Sequence, residues 1–93
     1  MDTCQVAEIQ LILCSEQIRA ARSLLGWSQV QLAEQAGVAH MTIRRFETGT
    51  GPVSGKIESL VRIQDALEKA GIVFQGEDAQ FGVGVRLAKP RNI

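Results

Sequence analysis

Cysteine is scarce. Cys4 and Cys14 are the only two in 93 residues, which excludes both a disulfide framework and a four-ligand zinc set. Histidine is scarcer still: the single His40 builds no metal site and, without a partnered nucleophile, no catalytic triad. Neither sign of charge is in excess, because ten basic residues balance ten acidic ones. The long-range positive field that would by itself indicate nucleic acid or an anionic membrane is therefore missing. No stretch approaches the roughly 18 apolar residues of a membrane span, and the apolar run Leu11 to Cys14 is far too short. The start lacks the positive region and cleavage site of a secretory signal, so a cytoplasmic protein with reduced thiols and no membrane partner is expected. Paired carboxylates, a metal-ligand cluster and a nucleophile beside a base are all missing too. The expectation is a protein that is not an enzyme and carries no cofactor or metal.

What is present is an ordinary globular composition, with 45% hydrophobic and 22% charged residues, where disorder would need fewer apolar residues and a larger net charge. The length allows one domain and no separate ligand-sensing module. A chain this short buries only about 60 to 65% of its unfolded surface, so an exposed apolar edge is a natural place for a second copy. The charges are also unevenly spread. Residues 1 to 14 hold Asp2 and Glu8 and no base, whereas residues 15 to 62 hold six basic residues against four acidic ones.

Gly26, Gly37, Gly49 and Gly71 each follow a stretch with helical spacing of apolar residues, the place of a left-handed C-terminal cap. Four helices are implied, and a fifth if the start is helical. The first runs from about Ser15 to Leu25, with Ile18, Ala21, Leu24 and Leu25 on one side. The second opens with Ser28 as N-cap and Gln31 completing a capping box, with Trp27 placed to pack on Leu32. Only Val38 and Ala39 separate Gly37 from a third segment, His40 to Glu47, whose inward pair is Ile43 and Phe46. The fourth and longest runs from about Gly55 to Lys69, with Ile57, Leu60, Val61, Gln64 and Leu67 repeating at intervals of three and four. After Gly71 the period changes. Ile72-Val73-Phe74 and Val83 to Leu87 read as two strands around the turn-rich Gly76 to Gly82, a β-hairpin. An isolated hairpin is marginal in water, so it must lie on the helices or pair with another sheet edge. The start, Val6 to Leu13, fits a strand and a helix equally. Three regions result: an extension (1–14), a helical domain (15–70), and a hairpin with a tail (71–93) expected to serve dimerisation.

The third helix carries the functional signal. At about 100° per residue, inward Ile43 and Phe46 turn Met41, Arg44, Arg45 and Thr48 outward, leave His40 and Thr42 at the flanks, and bring Glu47 nearer the core. Two adjacent arginines on a short helix, presented by a tight turn from another helix, suit a major groove: the helix fits, and a guanidinium pairs with guanine or phosphate.

The run Ser28-Gln-Val-Gln-Leu-Ala-Glu-Gln-Ala-Gly-Val-Ala-His-Met-Thr-Ile-Arg-Arg-Phe-Glu-Thr-Gly49 resembles the helix-turn-helix of the phage repressor and Cro (Xre-type) family. The shared features are Ser-Gln at the start of the second helix, Leu-Ala inside it, Gly-Val at the turn, and Ile, Phe, Glu and Gly later. With its flanking helices the resemblance covers about residues 15 to 70. It implies a mainly α, lambda-repressor-like fold of four to five helices with a C-terminal β-hairpin. The implied function is sequence-specific binding of double-stranded DNA as a homodimer, with repression of transcription. It also implies roles. Gln29 contacts a phosphate beside Ser28 at the positive end of the second helix; His40, Met41 and Arg45 face base edges; Thr42 and Arg44 meet backbone or neighbouring bases. Ala39 stands where relatives commonly carry Ser or Thr, so a cap and a phosphate contact are missing there. Arg22 and Glu47 match a structural ion pair.

The loop Gly49 to Lys56 fails as a nucleotide-binding loop, because its glycine spacing is one residue too long and Ile57 stands where Ser or Thr is needed. Lys56 remains a candidate phosphate contact. The competing reading is an antitoxin-like or adaptor protein whose main partner is another protein, motivated by the apolar start and the glycine-rich hairpin.

Overall fold

The computed structural model describes residues 13–51, 53 and 55–90; the start at 6–12, with its strand-or-helix alternatives, and Cys4 lie outside them. Four helices and two strands follow in order: α1 (Ser15–Leu25), α2 (Gln29–Ala36), α3 (His40–Glu47), α4 (Ile57–Lys69), β1 (Ile72–Gln75) and β2 (Gly84–Leu87). The architecture is mainly helical, with a small antiparallel hairpin at its C-terminal end.

Local signals set most of the helix ends. Ser28 Oγ accepts from the Gln31 backbone N–H at 3.1 Å, and Gln31 Oε1 accepts from the Ser28 N–H at 2.7 Å, a reciprocal capping box that starts α2. Gly37 ends α2 at φ 71°, a left-handed conformation that costs a side-chain-bearing residue energy and glycine almost none. The chain then needs only Val38 and Ala39 to enter α3. At the far end of α3 the cap is Thr48 in an extended conformation, with Gly49 one residue beyond it. Thr48 Oγ1 returns to the Arg44 carbonyl at 2.7 Å, so a hydroxyl back-bond and not glycine closes this helix.

The core draws on all four helices and β1, with Val85 and Leu87 of β2 packed against it. Ile18 and Ala21 come from α1, Leu32, Ala33 and Ala36 from α2, Ile43 and Phe46 from α3, and Leu60, Ile63 and Leu67 from α4, joined by Leu13 and Ile72. Burying side chains the size of Ile43 and Phe46 stabilises by about 1.5 to 3 kcal/mol each, which holds so short a helix as α3 in place. The fourth helix departs from expectation in two ways. It begins at Ile57, not Gly55, and its inward stripe is Leu60, Ile63 and Leu67, while Ile57 is 63% and Val61 42% exposed. Both stripes satisfy a helical period; contact with α2 and β1 selects the second.

Long-range polar contacts tie the segment before α1, the loop before α4 and the hairpin to this core. Val53 N–H donates to the Leu13 carbonyl at 2.8 Å and Ser15 N–H to the Gly51 carbonyl at 2.9 Å. The buried Gln17 uses its amide three ways: Oε1 accepts from Cys14 N–H, and Nε2 donates to the carbonyls of Gln75 and Gly84. The hairpin is thus pinned to α1 by a side chain that satisfies both strands at once. In the hairpin, Ile72 faces Leu87, Val73 faces Arg86, Phe74 faces Val85 and Gln75 faces Gly84.

Candidate nucleic-acid interface

The outward face of α3 is built by what holds its inward face. Ile43, Phe46 and Glu47 are buried, whereas His40, Met41, Arg44 and Arg45 are exposed and Thr42 is half-buried. Met41 leaves 64% of its surface in solvent, a large apolar exposure for one side chain. Among the described residues, neither the Arg44 nor the Arg45 guanidinium has an acidic or carbonyl partner, so both charges are available to an anion. Ala39 is the N-cap of α3 and supplies no side-chain bond, leaving the first backbone N–H groups of the helix uncapped by a side chain.

Glu47 anchors this helix from below. Its carboxylate, 3% exposed, receives Arg22 in a two-pronged bond, Nε at 2.8 Å and Nη2 at 3.0 Å. The third guanidinium donor, Nη1, reaches the Trp27 carbonyl at 2.9 Å. A charge this deeply buried is tolerated only when it is paired and its lone pairs are used. Gln29 completes the set: Nε2 donates to Glu47 Oε1 at 3.0 Å, and Oε1 lies 3.3 Å from His40 Nε2, a bond that requires that ring nitrogen to carry a proton. One chain of contacts therefore runs from α1 through the end of α3 and the start of α2 to the first residue of α3.

Sequence reasoning gave Gln29 a phosphate contact through the family resemblance; the residue is half-buried and its amide engages both Glu47 and His40. Sequence reasoning overlooked two arginines. Arg19 donates to the carbonyls of Glu47 and Gly49, filling acceptors that the end of α3 leaves open and placing a cation at the negative end of its dipole. Arg62 donates to the Gly37 carbonyl at 3.2 Å while pairing with Glu58, so α4 clasps the turn between α2 and α3. The signal for Arg19 was present: it stands three residues before Arg22 on α1, on a neighbouring line of the same helix surface. Trp27 is half-buried and packs against the core. Lys56 is exposed at the N-cap of α4.

Two carboxylates outside this face hold loops. Glu16 lies below its usual carboxylate range because its own backbone N–H and then that of Gly51 hydrogen-bond to it. Asp78 is lowered by the N–H groups of Phe81 and Gln80, which its Oδ1 accepts at 2.7 and 2.8 Å. Among the described residues no three His, Cys, Asp or Glu side chains are grouped to hold a metal. No described helix is long and apolar enough to cross a membrane.

The helix-turn-helix family model (HTH_3) matches residues 18–69, more than half of the chain, spanning α2, α3 and α4 whole and α1 from Ile18 onward. The chain belongs to the helix-turn-helix family of the Xre and lambda-repressor type. Comparison with curated proteins returns no match. As a helix-turn-helix protein it is a DNA-binding regulator, from a family that is regulatory and not enzymatic. The match begins at Ile18 and ends at Lys69, so it takes in Arg19, Arg22 and Glu47 but leaves the hairpin outside.

Proposed function

We propose that this helix-turn-helix protein is a cytoplasmic, sequence-specific transcriptional repressor that binds double-stranded DNA as a homodimer and inserts α3 into the major groove. The observation that carries the reading is the exposed pair Arg44 and Arg45, unpaired among the described residues, on a helix whose opposite side is locked by the buried Glu47. In this reading His40, Met41 and Arg45 meet base edges, with Arg45 suited to a bidentate bond to guanine. Thr42 and Arg44 meet the backbone or adjoining bases. Ser28, Gln29 and Ala39 sit where the starts of α2 and α3 approach phosphates. Gln29, already bonded to Glu47 and His40, then orients His40 as well as meeting the backbone.

Met41 contributes apolar contact, for which the methyl of thymine is the natural partner in the groove. Repression follows from occupying a promoter, where α3 in the major groove excludes other proteins from the same site. Two copies on one duplex read half-sites about one helical turn apart. Selection of sites from a random duplex library, followed by salt titration on the winner, tests the proposal. An enriched palindrome with a steep negative salt slope supports it. Salt-sensitive binding without an enriched motif reduces it to non-specific association, and no binding at low salt overturns it in favour of a protein partner.

A further inference from the structure

The hydrogen bonds behind α3 carry a direction. The Glu47 carboxylate has no proton to give, so every group around it must donate: Arg22 Nε reaches Oε2 at 2.8 Å, and Arg22 Nη2 and Gln29 Nε2 both reach Oε1 at 3.0 Å. That fixes which way the Gln29 amide lies. Turned over, it would set its carbonyl oxygen against a carboxylate that is 3% exposed, two acceptors facing each other where little water screens them. Gln29 Oε1 is therefore the end that meets His40, and at 3.3 Å from Nε2 it accepts, so Nε2 holds the proton. A neutral imidazole carries one N–H. With Nε2 taken, Nδ1 is a bare acceptor, and among the described residues nothing bonds to it. His40 is the first residue of α3 and is exposed, so this acceptor belongs to the helix that presents Arg44 and Arg45.

We propose that the buried Glu47 carboxylate, acting through Gln29, fixes the proton of His40 on Nε2 and leaves Nδ1 to accept a hydrogen bond from the amino group of cytosine or adenine in the major groove. The proposal deepens the DNA-binding reading and rests on it. The groove edge of each base does the selecting. Cytosine N4 and adenine N6 are the donors there, whereas guanine N7 and O6 and thymine O4 are acceptors that face Nδ1 with a lone pair. Without the fixed proton the ring is free to take either tautomer and meet either kind of edge, so Glu47 and Gln29 are positioning residues and His40 is the one that reads. Acid reverses the preference. A charged imidazole carries N–H on both nitrogens; the bond to Gln29 stays, Nδ1 becomes a donor, and guanine becomes the better match. The charged groups on the elements packed against this end of α3 are Glu16, Arg19 and Arg22 on α1, Glu34 on α2, and Arg44, Arg45 and Glu47 on α3 itself. Among the described residues none of them bonds to the ring, and His40 is the chain's single histidine, the residue type that changes charge between about pH 5 and 8.

Two measurements on the full chain test it. The first needs no DNA: with one histidine in the sequence, nitrogen NMR of the labelled imidazole at about pH 8 reads a single ring. The wild type is expected to hold its proton on Nε2, and Gln29→Ala to give a mixture of the two tautomers. The second is site selection from a random duplex library at about pH 8 and about pH 5. His40→Ala marks the position that His40 reads as the one whose preference disappears. There the wild type is expected to favour cytosine or adenine over guanine by about 3- to 10-fold at the higher pH, the factor one hydrogen bond supplies, and to turn towards guanine at the lower. The selected base itself tells cytosine from adenine. Gln29→Ala is expected to lose most of that ratio at the higher pH while keeping its helical circular dichroism and its preferences elsewhere in the site; a lost phosphate contact weakens all sequences alike and cancels in the ratio. The wild-type arms stand whether or not that variant folds. A wild-type ring protonated on Nδ1, or guanine or thymine selected at the higher pH, overturns the proposal alone. So does an equal gain on every sequence as the pH falls, which makes His40 a phosphate contact. No enriched motif at either pH overturns it together with the sequence-specific DNA-binding reading.

Discussion

Removing Arg22 tests the whole proposed recognition face through a residue that does not lie on it. In Arg22→Ala the Glu47 carboxylate, 3% exposed, loses two of its three side-chain donors and keeps only Gln29 Nε2. Breaking a buried ion pair by deleting one partner costs about 3 to 5 kcal/mol. The Arg22 side chain is itself 23% exposed, so water entering the vacated space repays part of that, and we expect a loss of about 2 to 4 kcal/mol. A chain of this size has a total stability on the order of 5 to 15 kcal/mol, and each kcal/mol moves its melting temperature by roughly 4 to 8 °C. The variant should melt on the order of 10 to 30 °C lower by circular dichroism at 222 nm. At a temperature where both proteins are folded, its DNA affinity should fall by a similar factor on every sequence, because α3 is loosened and no base contact is lost. Arg22→Lys should fall between, since a single ammonium cannot make the two-pronged bond and reach the Trp27 carbonyl together. A melting temperature within about 3 °C of the wild type, less than one kcal/mol produces, refutes the claim that this pair holds the helix. So does a change of preferred sequence without a change of stability.

Arg45→Ala should weaken the selected site by about 1 to 3 kcal/mol and relax preference at one base position, whereas equal loss on all sequences in a filter-binding series would make it a phosphate contact. Gly55→Ala brings a β-carbon to 2.7 Å from Phe46 Cε1; displacing that ring from under α3 should cost about 1 to 3 kcal/mol in urea denaturation, and an unchanged midpoint would show that the ring moves aside freely. Glu16 and Asp78 have carboxyls lowered by backbone N–H groups, so their stabilisation is present above the unfolded carboxylate range and is lost as the pH falls through their lower folded values. Glu16→Gln and Asp78→Asn together should flatten the acid limb of a stability-against-pH curve; a limb of unchanged slope would count against both loop contacts.

The sequence by itself determined whatever depends on neighbours along the chain. The Ser28 and Gln31 capping box, the left-handed Gly37, the tight passage through Val38 and Ala39, and the span of α1 all follow from side chains a few residues apart, and the structure reproduces each. The outward direction of Met41, Arg44 and Arg45 was legible for the same reason, because two buried positions on one short helix settle all the others. Tertiary structure decided whatever depends on residues distant in sequence. On α4 the expected stripe of Ile57, Leu60, Val61, Gln64 and Leu67 and the buried one of Leu60, Ile63 and Leu67 are both periodic, and only the packing of α4 on α2 and β1 kept Leu60 and Leu67, brought in Ile63 and left Ile57 and Val61 exposed. Gln29 reads locally only as a phosphate contact at the start of a helix, and the fold brings it Glu47 from 18 residues away and His40 from 11. Arg19 and Arg62 likewise acquire their roles only when the end of α3 and the turn before it arrive beside them. Periodicity and capping are local preferences; a buried charge or a carbonyl at a helix end is satisfied by whichever donor the packed fold delivers.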